Sequence, residues 1–462
     1  MLSAVASFSS LYFATLLLLL GTGLINTYLG ISLAQAQVSE IWVGTLIAVY
    51  YLGLVFGART GHRLIASVGH IRAYTATAAV VTVAVLVQAL VDNLWVWTFL
   101  RFMAGLAMVT QFISIESWLN EQTDNTSRGR VLAFYMVFSG LGTVLGQLSL
   151  TLFPELDYRP LVFSGICSIL CLIPVALTRR LHPTVPHPAP IMLFYYLKRV
   201  PMSLAVVLIG GVLTGSFYGL GPVYAYKQNL SSDQVAVFVA AAVAAGLVSQ
   251  WPLGWLADRV DRAGLIRFNA LLLFIVTLPL WGWLALPYWA LLALSCALGV
   301  LQFTLYPIGA AFANDNVDPE RRVGLSAVLL MVYGLGACLG PLLVGVIMRE
   351  MQPGTLFIFA AVCAALLVAY VRPERVTGEN LSQDAPTHYV PMTEIQTTPV
   401  VAELDPRVDP ETDVSYDVDP MEEVQDAEQG SVGEQLATQS NEARQANTAQ
   451  DDATQAGRSK PS

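Results

Sequence analysis

Charge is what this chain lacks. Only 12% of its 462 residues are Asp, Glu, Lys or Arg, while 55% are hydrophobic. Soluble domains carry about 25% charged residues, so composition excludes a soluble globular protein, and no nucleic-acid partner is expected. Cysteine is sparse as well. Cys167, Cys171, Cys296, Cys338 and Cys363 all lie inside apolar runs. An odd buried set without metal-ligand spacing to histidine excludes a disulfide framework and gives no metal site. The five histidines are all expected in loops or the tail. No basic segment precedes the Leu16–Leu20 run, so the N-terminus reads as a retained first helix and not a cleaved signal. Phosphate-binding loops and catalytic triads are also missing, so neither an enzyme nor a cofactor is expected.

What the chain has is apolar runs of roughly 18 to 25 residues, each long enough to cross a hydrocarbon core of about 30 Å as a helix. They do not alternate polar and apolar residues as barrel strands do. The fold class is therefore an all-α polytopic membrane protein. Twelve transmembrane helices are placed at 9–34, 40–58, 71–91, 94–119, 130–153, 159–178, 201–226, 233–256, 264–286, 288–312, 323–348 and 353–371. Pro183, Pro186, Pro188 and Pro190 interrupt the stretch 179–199 and divide the spans six and six. The expected domains are a bundle over 1–178, a linker over 179–199, a second bundle over 200–371 and an acidic tail over 372–462.

The net charge of −9 averages two unlike regions. Residues 372–462 hold 19 acidic and six basic residues, whereas residues 1–371 hold 14 acidic and 18 basic. The tail is too polar to offset its ordering entropy and reads as disordered. Sixteen Arg and Lys residues flank the even-numbered connections and the C-terminal end, against three in the odd-numbered ones. That bias predicts a multi-pass protein of the cell (inner or plasma) membrane with both termini in the cytoplasm.

The chain also repeats itself. Gly105–Gly146 lies over Gly299–Gly340 without a gap, with eleven of 42 positions identical. The matches include Gly105/Gly299, Asn120/Asn314, Arg128/Arg322 and the run Gly140-Leu141-Gly142 against Gly334-Leu335-Gly336. A parallel repeat of several helices in so apolar a chain reads as a transporter built from two pseudo-symmetric bundles.

The sharpest local motif is Gly254-Trp-Leu-Ala-Asp258-Arg259-Val-Asp261-Arg262. Glycine lets a neighbouring helix approach, and the Asp and Arg residues form ion pairs that can break. With the span count and the repeat, this motif resembles the major facilitator superfamily, whose loops 2–3 and 8–9 carry Gly-x-x-x-Asp-Arg. The resemblance covers residues 1–371. The string Glu116-Ser-Trp-Leu-Asn120, the turn Arg128-Gly129-Arg130 and Gly146-Gln147 resemble its YcaD-like branch. The first-half counterpart departs from the motif, reading Gly57-Ala-Arg59-Thr-Gly61-His62-Arg63 with Gly61 in the Asp position. There Gly53, Gly57 and Gly61 form a face suited to close helix contact. The Gly-x-x-x-Gly-Pro element of antiporters is likewise displaced: span five has Gly142…Gly146-Gln147, and span eleven has Gly336…Gly340-Pro341.

Two groups of candidate residues follow. The gating or conformational group comprises Gly57, Gly61, Arg63, Gly254, Asp258, Arg259 and Arg262, with the repeated pairs Glu121/Arg128 and Asp315/Arg322. Arg101 leads the cavity group. It opens an Arg-x-x-x-Gly element about 10 Å into span four, and a charge at that depth is a functional candidate by default. Glu116 lies on the same helix about 22 Å further along, too far to pair with it. The spans that line the central site in the superfamily add Thr22, Asn26, Gln111, Gln147, Thr214, Tyr218, Gln302 and Tyr306. A lone deep arginine and few intramembrane carboxylates favour an anionic or zwitterionic cargo over a cationic drug. The resemblance implies a secondary active transporter, a monomer carrying a small molecule by alternating access, with proton coupling open. A gradient-independent facilitator and a non-transporting sensor are the alternatives.

Overall fold

The computed structural model describes residues 8–121, 123, 127–176, 192–317, 321–372 and 398. Prolines 183 to 190 and the acidic tail, apart from Arg372 and Thr398, lie outside the described residues. Helix is the regular structure formed, and no strand occurs among the described residues.

The spans are Ser9–Gln35, Glu40–Val68, His70–Leu90, Leu94–Glu121, Arg128–Ser149 with a 3-10 turn to Leu152, and Arg159–Leu170 continued by Leu172–Ala176. The second six are Pro201–Lys227, Ser232–Ala257, Arg262–Thr277 with a 3-10 turn to Trp281, Tyr288–Gln302 continued by Leu305–Asn314, Arg322–Glu350, and Thr355–Tyr370. Eleven are long and apolar enough to cross a membrane, and the twelfth is a shorter apolar helix. Their starts obey local chemistry. Pro160 and Pro201 sit in the first turn, where no N–H is needed. Ser231 and Gln234 form a capping box on span eight, and Asp261 accepts from Gly264 N at 2.6 Å on span nine.

Three sequence expectations need correction. Span two runs on beyond 58, to Val68, so Arg59, His62 and Arg63 lie on a helix and not in a loop. His70 begins span three, buried beside Trp118 with ring centroids 6.1 Å apart. Span ten is broken at Phe303–Thr304, because Pro307 has no N–H to offer the Phe303 carbonyl. At the break Asn269 of span nine donates to the Leu301 carbonyl at 2.8 Å, and Thr304 Oγ1 to Val300 O at 2.7 Å. Beyond the linker prolines, Leu193–Arg199 forms a short helix. It docks on the loop between spans ten and eleven, where Tyr196 donates to Arg321 O at 2.9 Å and Arg199 to Asn316 O at 3.1 Å.

Within the first six spans, span four packs on spans two and three, and span one on spans five and six. Within the second six, span ten packs on eight, span seven on eleven, and span nine on twelve. The halves join through spans two and eleven, five and eight, and one and seven. Glycine makes the tightest contacts, and these repeat. A Cβ on Gly105 would fall 2.1 Å from Tyr50 O, and one on Gly299 1.9 Å from Ala242 O. Gly142 and Gly336 press likewise on Leu16 O and Leu208 O, and Gly146 and Gly340 on Leu20 O and Val212 O. Across the halves, Gly140 meets Leu247 while Gly334 meets Val55. Glycines at matching places in the repeat thus face partners at nearly matching places. The repeat is a repeat of helix contacts as well as of letters.

Candidate functional site

Arg101 is 2% exposed on span four. Its Nη2 donates to Asn26 Oδ1 of span one at 2.5 Å, and its guanidinium lies 4.8 Å from the centroid of the Tyr50 ring on span two. Three spans therefore converge on one cation, with a hydrogen bond and a cation–π contact offsetting its desolvation. Arg101 Nε has no hydrogen-bond partner among the described residues. Neither amide atom of Gln147 has one either, nor does Gln302 Nε2. Buried donors and acceptors are rarely left unpaired, because each costs its desolvation. Among the candidate aromatics, Tyr218 packs on Phe303 with centroids 5.6 Å apart, and Tyr306 on Tyr333 at 5.1 Å.

Other candidates sit elsewhere. Gln111 faces span six, accepting from Cys171 Sγ at 3.9 Å inside the first half. Thr22 donates to Leu18 O of its own helix at 3.0 Å, and Thr214 is fully buried on span seven. Glu116, also fully buried, accepts from Tyr135 Oη at 3.0 Å and from Thr398. It lies toward the end of span four that carries the basic loops, well removed from Arg101.

At that end, Arg262 is the hub of the second half. Its Nη1 donates to both Asp315 carboxylate oxygens at 2.6 Å and to Ala311 O at 2.9 Å, and its Nη2 to Asp258 at 3.2 Å. One buried guanidinium thus ties span eight, the start of span nine and the end of span ten together. Arg259, the motif's own arginine, does not join them: it is exposed and stacks on Trp255 at 3.9 Å. Gly254 accepts the N–H of Asp258 at 3.1 Å as span eight ends. Asp315 pairs with Arg262, while Arg322 is buried at the start of span eleven. In the first half Gly57 lies against Leu106 and Val109, and Gly61 against Thr110 and Ile113, both on span four. Arg63 is exposed and Arg128 half-buried. The side chain of Glu121 lies outside the described residues.

At the opposite end the halves are pinned together. Lys227, closing span seven, forms an ion pair with Glu40, opening span two. Beside it a Cβ on Gly44 would fall 2.2 Å from Pro341 O, and one on Gly30 2.8 Å from Pro222 Cβ. No sequence pattern signals this pair, since its members belong to different halves. Tyr50, Tyr135 and Thr398 are likewise absent from the sequence candidates. A single tyrosine within an apolar helix is too common to stand out.

Among the described residues, eleven membrane-length apolar helices and a shorter twelfth form two contact-related halves, with buried polar groups in the middle and ion pairs at both ends, the arrangement of a multi-pass membrane transport protein. The sequence profile of the Major Facilitator Superfamily matches residues 4–286 and 270–404, and the chain belongs to that family. It is 30% identical over 348 residues to an uncharacterized MFS-type transporter of Yersinia pestis (strain Pestoides F), covering 75% of this chain and 90% of the relative. It is 29% identical over 366 residues to the uncharacterized MFS-type transporter YcaD of Escherichia fergusonii, covering 79% and 94%. Two crystal structures share the fold. The nucleoside transporter NupG has a TM-score of 0.63 at 12% identity, covering 79% of this chain and 97% of that one. A bacterial homolog of the human lysosomal transporter Spinster, inward-facing and occupied, has a TM-score of 0.64 at 14% identity, covering 82% and 98%. Members of the superfamily are generally carriers and not enzymes.

Proposed function

We propose that the chain is a secondary active transporter that moves a small anionic or zwitterionic molecule by alternating access. The observation that carries this reading is Arg101: a guanidinium buried in the centre of the first half, held from two sides and with one N–H unspoken for. Such a donor suits a carboxylate or phosphate oxygen. The unpaired amides of Gln147 and Gln302 supply further donors and acceptors from both halves.

The positive-inside bias supports an orientation with the basic loops and both termini in the cytoplasm. On that orientation the Glu40–Lys227 pair and the Gly44–Pro341 contact close the outer end, so the state described is closed to the outside. The contacts of Gly140 with Leu247 and Gly334 with Val55 lie near the middle of their helices and form a symmetric fulcrum. Rocking about it breaks the outer pair and brings the cytoplasmic ends together. The Asp258–Arg262–Asp315 cluster keeps loop 8–9 attached to span ten while the second half moves as a unit.

The test is ligand-induced thermal stabilisation across a metabolite library, followed by flux of the hits into liposomes with and without a pH gradient. Uptake of an anion that collapses in Arg101→Ala supports the proposal; unchanged uptake of that anion by Arg101→Ala overturns it. Flux indifferent to every imposed gradient identifies a facilitator, and stabilisation without flux a sensor.

A further inference from the structure

Glu116 is a carboxylate with no exposure to solvent, and the mechanism above does not use it. Three donors from two other parts of the chain meet on it. Tyr135 Oη of span five reaches Oε1 at 3.0 Å. The backbone N–H of Thr398 reaches Oε1 at 3.2 Å and Oε2 at 3.0 Å, and the Thr398 hydroxyl donates to Oε2. Thr398 is itself fully buried, and it lies well beyond Arg372, after the last span has ended.

We propose that Glu116 and Tyr135 form a docking site for the chain's own C-terminal segment, with Thr398 as the residue that plugs it. A buried carboxylate must be hydrogen-bonded. One threonine supplies two donors at once, its amide and its hydroxyl, in a spacing that matches a single carboxylate. The reach is ample: the chain between Arg372 and Thr398 can span up to about 90 Å when extended. Pro399 follows in the sequence and biases Thr398 toward extended backbone, which keeps its N–H free of helix bonds. Charge favours the approach too. The segment from 372 onward carries 19 acidic against six basic residues, and the loops at the Glu116 end of the spans carry the arginine excess. Thr398, which follows the twelfth span in the chain, is thus held on span four of the first half, at the end opposite the Glu40–Lys227 pair. Bound there, Thr398 links the chain that follows the second half to the first half at that end.

Amide hydrogen exchange on the full-length protein in detergent micelles tests this. The Thr398 amide, read from overlapping peptides, should exchange at least about tenfold more slowly than in a synthetic peptide of residues 392–404, as a buried bonded amide does. Glu116→Gln should remove most of that protection. Thr398→Val, which keeps the amide and loses the hydroxyl, should reduce it and is exposed to no folding risk in the spans. Exchange at the peptide rate in the unaltered protein overturns the proposal. So does protection that survives Thr398→Val unchanged, or that molar salt abolishes outright, since attraction of an acidic tail to basic loops would then suffice. The readout is exchange and not flux, so the proposal stands or falls independently of what the protein carries.

Discussion

Arg101 and Asn26 meet at 2.5 Å in the buried interior of the first half, on two different helices. Asn26 is a neutral acceptor that lets a cation sit at this depth without a countercharge, and on the proposed function it leaves the net positive charge for the cargo. Replacing Asn26 by Ala removes that acceptor and should cost about 1–3 kcal/mol of stability. Thermal unfolding in detergent measures it. Asn26→Asp should instead stabilise the fold but weaken binding of an anion, because the countercharge is then built in.

The Glu40–Lys227 pair bridges the halves in a half-buried position. A pair of this exposure contributes up to about 1 kcal/mol, which is roughly a fivefold change in a two-state population. Glu40→Gln should therefore raise the outward-open fraction about fivefold, as read by spin-label distances across the outer end. Unchanged distance distributions would show that the Gly44–Pro341 contact alone holds that end.

Gly105 and Gly299 occupy equivalent places, each pressed against a backbone carbonyl of a neighbouring helix. Alanine at either site forces two helices apart, and overpacking of this kind costs about 1–3 kcal/mol. The two substitutions should lower the melting temperature by similar amounts. A large effect at one and none at the other would break the symmetry of the contacts.

Arg262 and Arg259 differ in the opposite sense from what their motif suggests. Arg262→Ala leaves Asp315 and Asp258 without their shared cation, and removing one partner of a buried pair costs about 3–5 kcal/mol. Arg259→Ala loses a surface stack on Trp255 and should fall within about 0.5 kcal/mol of the parent. Chemical unfolding or limited proteolysis at loop 8–9 separates the two.

Much of the architecture was legible because membrane helices declare themselves by length and hydropathy alone. The span count follows from that rule, and so does the two-fold organisation, from glycines such as Gly105 and Gly299 that recur in register. The misplaced boundaries have physical reasons. Span two continues past its apolar run because helix hydrogen bonding does not stop at the membrane surface. Span ten breaks because one proline removes one N–H, a local effect that a hydropathy window averages away.

The site was legible only as residue types. That Arg101, Glu116 and Gln147 would be costly inside an apolar chain is readable from their types alone, since burying polar groups has a price in any fold. Which groups meet that cost emerges from helix packing: Asn26 and Tyr50 for Arg101, Tyr135 and Thr398 for Glu116, and no described residue for the Gln147 amide. Those partners come from helices and segments far apart in the chain. Their meeting depends on how helices pack, and no local pattern encodes it.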